Sequence, residues 1–120
     1  MTAVQELGGV QVLVCAAEGE QVAGEQDAVD LLGNAYYLGA SWVAVPVERF
    51  GAEFFRLRSG VAGGVVQKFA QYRMGLAVLG DVAPHVERSD ALRDFVRESN
   101  RGLQLWFVAD LEELAGRFTG

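Results

Sequence analysis

The chain has a single cysteine and a single histidine, too few for most covalent or metal-based devices. Cys15 has no partner for an internal disulfide and lies within an apolar run, so it reads as a small buried hydrophobe, not a catalytic thiol. His85 has neither a second histidine nor a neighbouring cysteine with which to build a typical zinc site. It reads as a surface histidine in a loop from Val82 to Arg88. No apolar stretch approaches the roughly 18 residues that would cross a bilayer. The opening MTAVQELGGVQVLV lacks a basic leader and carries Glu6 ahead of its apolar run, which is a poor secretory signal. A cytoplasmic protein with no membrane partner is expected. Basic residues are the minority, ten against sixteen acidic, for a net charge of −6. That balance repels phosphate backbones, so nucleic acid is not an expected partner, and the charge serves solubility. The basic residues do not cluster, apart from Arg49, Arg56 and Arg58 around one turn.

What is present is enough for one folded domain of 120 residues, with 51% apolar and 22% charged residues. Val10–Ala16 is apolar and β-branched and predicts a strand, with Gln21–Ala23 returning as a short antiparallel partner. Gly24 to Asp27 starts a helix, Asp27 serving as N-cap or first-turn acid. Ala28, Leu31, Leu32, Ala35 and Tyr36 follow helical spacing, and Gly39 ends the run. Gly33 in its middle is expected to allow close packing on the sheet. Ser41–Val45 predicts a strand closed by Pro46, and Phe54-Phe55 a brief helical turn over the core. Val61, Val65, Val66, Phe69 and Ala70 form a helical stripe, and Met74–Gly80 a central strand buried on both faces. Ser89-Asp90 opens a third helix with Leu92, Phe95 and Val96 inward, closed by Gly102 as a left-handed cap. Leu103–Val108 predicts a fifth strand, and Asp110 caps a last helix with Leu111, Leu114 and Phe118. The expected class is α/β, a single domain ordered β-β-α-β-α-β-α-β-α, with a mostly parallel mixed sheet.

Several residues invite a chemical reading. Arg58-Ser59-Gly60 stands at the start of the third-strand helix, where an α/β sheet keeps its sites. Ser59 is a candidate for phosphorylation, since free amides at a helix start favour an added phosphate; the alternative is simple capping of Val61 or Ala62. Arg58 is either a partner for such a phosphate or a solvated base. Gly60, Gly63 and Gly64 either cradle an anion or let the helix pack closely on the sheet. Their spacing matches neither a P-loop nor a dinucleotide fingerprint, and no cofactor is called for. Asp81 follows a central strand at its carboxyl end, as a site acid or as the acceptor of an Asx turn. Glu98, Asn100 and Arg101 are expected at the opposite rim, which argues against a paired-carboxylate catalyst. A triad of Ser59, His85 and Asp81 lacks the GxSxG elbow and is set aside. Trp106 and Phe107 must point to opposite faces of their strand. At a sheet edge, one of those rings would be free to anchor a homodimer.

With these blocks in view, the chain resembles an uncharacterised bacterial family, domain of unknown function 4180. The likeness is carried by FFRLRSGVAGGVVQKFAQYRMGLAVLGD and by LRDFVRESNRG before the last strand. A more distant likeness in the order of elements is to the STAS domain of anti-anti-sigma-factor type. That likeness implies a Ser phosphorylated by a kinase at the helix start, and Ser59 is the matching hydroxyl. Arg58 stands where the STAS pattern has an acidic residue. The function implied is a small, non-enzymatic regulatory or protein-interaction domain, switched at Ser59. The competing reading is a small-ligand or enzymatic domain using Asp81, Gly60 and Arg73 around the sheet mouth.

Overall fold

The apolar run at Val10 does form a strand, β2 (Val10–Val14), but its antiparallel partner lies before it in the chain. The computed structural model describes residues 2–120. In it β1 (Ala3–Leu7) turns back onto β2 through Gly8 and Gly9, pairing Leu7 with Val10. Both glycines have positive φ, 56° and 86°, which suits a tight two-residue hairpin. The expected partner, Gln21–Ala23, makes only one parallel bridge, between Val22 and Phe50. Burial explains the difference: Val22 is 2% exposed and is held as a core residue at a single point.

From β2 onward the sheet is parallel. Strands β3 (Trp42–Pro46), β4 (Gly75–Leu79) and β5 (Leu105–Val108) follow in sequence, giving the order β1-β2-β3-β4-β5. The crossing helices are α1 (Glu25–Tyr37), α3 (Val61–Gln71) and α5 (Asp90–Arg101). Two short helices, α2 (Ala52–Phe55) and α4 (Ala83–Val86), precede α3 and α5, and α6 (Leu111–Thr119) ends the chain. The fold is therefore a single α/β domain, as expected. Among the described residues, no helix is long and apolar enough to cross a membrane.

Each parallel crossover places its helix on the same face. Leu13, Cys15, Val43, Val45, Leu76, Val78, Leu105 and Phe107 alternate along the strands to meet α1, α3 and α5 there. The intervening Val12, Ala44, Ala77, Trp106 and Val108 point the other way. That second face is covered by α6, through Leu114 with Leu111 and Phe118. Trp106 and Phe107 do point to opposite faces, and at 5% and 7% exposure neither stands free as a dimer anchor.

Small residues make the second face fit. A Cβ on Gly75 would lie 2.1 Å from the Trp42 ring, so that indole rests flat on the β4 backbone. Trp42 in turn packs against Trp106, centroids 4.4 Å apart and planes tilted by 31°, and meets Phe118 edge-on at 5.2 Å. Helix caps follow the sequence in two places. Ser89 accepts from the Leu92 amide; Asp110 accepts from the Glu113 amide at 2.9 Å, while the Glu113 carboxylate reaches back to the Ala109 amide at 2.6 Å. Two other expectations are corrected. Gly102 has φ −92°, extended rather than left-handed, and its carbonyl accepts from the Trp106 indole at 2.7 Å. Gly33 is exposed with open space above it, so it packs on nothing. Asp27 sits in the first turn of α1 and accepts from the Ala23 amide at 2.8 Å, while Gly24 holds the N-cap place.

Two glycines should therefore behave oppositely on replacement. Gly33→Ala is expected to raise stability by about 0.5–1 kcal/mol by restoring helix propensity. Gly75→Ala should cost at least about 2 kcal/mol by driving a methyl into the Trp42 indole. Urea unfolding followed by tryptophan fluorescence measures both, and a neutral Gly75→Ala would refute the packing described.

Candidate functional site: an arginine cleft at the carboxyl rim

Parallel strands bring their carboxyl ends and the following helix starts to one rim of the sheet. Two long connections meet there. After β3 the chain runs through a short 3-10 turn (Val47–Arg49), α2, a second 3-10 turn (Leu57–Ser59) and Gly60 into α3. After β4 it runs through Gly80, Asp81, α4 and Ser89 into α5. Between them lies a cleft of about 680 Å³, floored by Ala52, Phe55, Leu57 and Ala91. Its polar lining is Arg56, Arg58, Arg88, His85 and Ser89, with no carboxylate among the lining residues. Phe55 is buried, and the His85 ring lies flat on it, centroids 3.8 Å apart and planes 8° apart. His85 is thus half-buried at the end of a short helix, and not the free loop histidine expected.

The arginines differ in how they are engaged. Arg49 turns away from this cleft, donating to the Ala16 and Glu20 carbonyls at 2.9 and 2.8 Å and pinning that loop. Arg56 pairs loosely with Glu53 at 3.4 Å on an exposed surface. Arg93, Arg97 and Arg101 pair with Asp90, Asp94 and Glu98 along α5. Arg117 donates to the Asn100 carbonyl and lies 4.3 Å over the Trp106 ring. Among the described residues, Arg58, Arg73 and Arg88 have no such partner, and of these Arg58 and Arg88 line the cleft. The sequence cluster of Arg49, Arg56 and Arg58 is therefore corrected: Arg49 leaves it and Arg88 joins.

Ser59 is half-exposed beside this cleft. Its hydroxyl donates to the Glu53 carbonyl at 2.6 Å and accepts from the Val61 amide at 3.2 Å. It thus closes the turn into α3, as the capping alternative required, and its proton goes to a carbonyl, not to a histidine. Gly60 is left-handed at φ 83°, a conformation that favours glycine at this corner. Gly63 is exposed, and a methyl placed on it would meet nothing within 4 Å, so it does not serve close packing of α3 on the sheet. Gly64 alone is close to a neighbour, its Cβ position 3.1 Å from the Glu25 side chain of α1, so its role is helix against helix rather than helix on sheet.

Asp81 lies at the same rim but in a separate depression of about 590 Å³, walled from the first by α4. His85 faces the arginine cleft, and Val86 faces the second depression. The Asp81 carboxylate accepts from the Ala83 amide at 2.9 Å, the Asx-turn role. Arg73 does not join either hollow. It follows the far end of α3, about 16 Å along the helix from Gly60, and precedes β4 while Asp81 follows it. A pocket built from Asp81, Gly60 and Arg73 is thereby excluded.

Asn100 also moves from its expected place, because it lines the Asp81 depression. Its side chain takes the Phe107 amide at 2.7 Å and donates to the Phe107 carbonyl at 3.3 Å. Those are the outward groups of the last strand, since the alternate Gln104 and Val108 carbonyls accept from Leu76 of β4 and from Gly80 just after it. Asn100 therefore stands in for a sixth strand at an edge that would otherwise be open. Glu98 pairs with Arg101 and lines neither depression. The sequence reading missed Arg88 and the Phe55–His85 stack, which no local motif marks.

Cys15 is buried, and desolvation raises its thiol pKa, opposed by the nearby Arg49 guanidinium. The folded state thus holds this proton more tightly than the unfolded chain. Stability from this group is complete below the ordinary value of 9.0 and declines as pH rises past it. Urea midpoints between pH 8 and 10 should fall more steeply for the native chain than for Cys15→Ala. Equal slopes would contradict the assignment. Replacing Asn100 with alanine should cost about 2 kcal/mol by stripping two edge groups of their partner, read by the same unfolding.

No curated protein and no solved structure matches the chain. A family model does, that of Domain of unknown function (DUF4180), over residues 7–118. This match takes in both connections that form the cleft, and the chain belongs to that family.

Proposed function

We propose that the protein is a small non-enzymatic regulatory domain that recruits a protein partner at the carboxyl rim of its sheet. The contact surface is the arginine cleft together with the turn that carries Ser59. One observation carries this reading: Arg58 and Arg88 converge on a cleft without a lining carboxylate, in a protein whose net charge is −6. Unpaired guanidinium groups are weakly hydrated, and they recur at interface hot spots because they bind anionic groups bidentately. The partner presents an acidic segment, and its apolar neighbours rest on Phe55 and Leu57.

Ser59 supplies the control. A phosphate there would break the hydroxyl's bond to the Glu53 carbonyl and add about −1.5 to −2 charges next to Arg58. The modified turn would hold that guanidinium for itself, and the partner would leave.

Site-specific photo-crosslinking tests this. A photoreactive residue at Ala52 or Ala91 should trap one and the same partner in the host cell, whereas one at Gly33 on α1 should not. The adduct should disappear in the Arg58→Glu, Arg88→Glu double variant and fall about tenfold in Ser59→Glu. Equal adducts from position 33, or adducts indifferent to the charge reversal, would refute the surface. Persistent absence of phosphate at Ser59 by mass spectrometry, with an unchanged partner in Ser59→Glu, would remove the switch.

A further inference from the structure

We propose that the arginine cleft is a binding site for a small organic phosphate, a phosphoryl group carried on a flat, mostly apolar body. This shares with the functional reading above only the location of the working surface. Three observations define the ligand. The first is charge: Arg56, Arg58 and Arg88 line one hollow, and only Arg56 has a carboxylate partner, at 3.4 Å and solvent-exposed. Exposed pairs of that kind hold a guanidinium weakly, so all three are available. A carboxylate saturates with one or two guanidinium forks, whereas a phosphoryl group offers three terminal oxygens arranged tetrahedrally. Three arginines from two separate connections line the one hollow, enough donors to serve all three oxygens.

The second observation is shape. About 680 Å³ gives a small molecule room to lie in a cleft open to solvent on one side. The third is the aromatic stack. Phe55 is 7% exposed and carries the coplanar His85 ring outward from the core to the cleft wall. A planar ligand body continues that stack while its phosphoryl group meets the arginines. Ala52, Leu57 and Ala91 supply apolar floor for the remainder. Asp90, at the start of α5, pairs with Arg93 at 2.9 Å and, like Glu87 beside Arg88, does not line the cleft.

The test uses the full chain, labelled for amide NMR, with adenosine 5′-monophosphate and phenyl phosphate as probes. Adenosine and a phosphotyrosyl peptide serve as comparisons. Both phosphate probes should shift the amides of residues 52–58 and 85–91, and adenosine should not. Arg58→Gln and Arg88→Gln should each weaken binding about tenfold, the loss expected for one charged hydrogen-bonding partner. Arg73→Gln, at the opposite rim, should leave affinity unchanged. These arginine side chains are exposed, and matching thermal unfolding of each variant confirms an intact fold. Adenosine binding as well as its monophosphate would overturn the proposal. So would shifts spread over the surface and indifferent to Arg88→Gln, or no binding by either phosphate probe. Binding of the phosphotyrosyl peptide alone would also overturn it, while leaving the partner-recruiting surface intact. The crosslinking result stands apart from all of these, so failure of the ligand and failure of the partner surface are separable.

Discussion

The indole of Trp42 lying flat on the β4 backbone is the contact that lets one short helix close a whole face of the sheet. Because the strands run in sequential order, α1, α3 and α5 all fall on one side, and the other side has only the nine residues of α6. Nine residues span about 14 Å, less than the width of five strands. The gap is filled by rings rather than by another helix. Trp42 covers Gly75, Trp106 and Phe118 close around it, and Arg117 covers the outer side of Trp106. Ala44 and Ala77 keep the middle of that face shallow enough for this layer.

The same economy governs the open edge. β5 has no neighbour beyond it, yet Asn100 satisfies the outward amide and carbonyl of Phe107. The segment ESNRG, conspicuous in the sequence as a family-like helix end, thus has a structural role. Asn100 blunts the strand edge, the Asn100 carbonyl receives Arg117, and the Gly102 carbonyl receives the Trp106 indole. With α5 locked to β5 in this way, the connection before it is fixed at the rim. Arg88 and His85 are held opposite Arg56 and Arg58 as a consequence.

Local periodicity is enough for most of the fold. The stripes of α1, α3, α5 and α6, the β-branched strands and the caps at Ser89 and Asp110 are all patterns of nearest neighbours, and each element lies close to where the sequence places it, although Tyr36 and Ala70 face solvent and the last strand starts at Leu105, leaving Leu103 exposed. The first strand escapes such a reading because Gln5 and Glu6 interrupt the apolar residues of AVQEL and most of it is exposed, so its hydrophobic signal is weak. Gly33 and Gly102 mislead for another reason. A glycine in a helical stretch reads the same whether it packs or faces water, and the backbone at a helix end depends on what the next strand demands.

The candidate site is legible only in part. Ser59, Gly60 and Asp81 do lie at the carboxyl rim, because the order of strands and helices decides which loops share it. Their partners are not readable. Arg88 lies thirty residues beyond Arg58, and Arg49, close in sequence, is drawn off by the Ala16 and Glu20 carbonyls. The chain alone determined the alternation of strand and helix, hence the parallel sheet and its rim, since those follow from side-chain spacing and short-range capping. Which charges meet across the rim, and which are spent elsewhere, was decided only by tertiary packing. Convergence of two connections is a property of distances in space, and nothing in residue order encodes it directly.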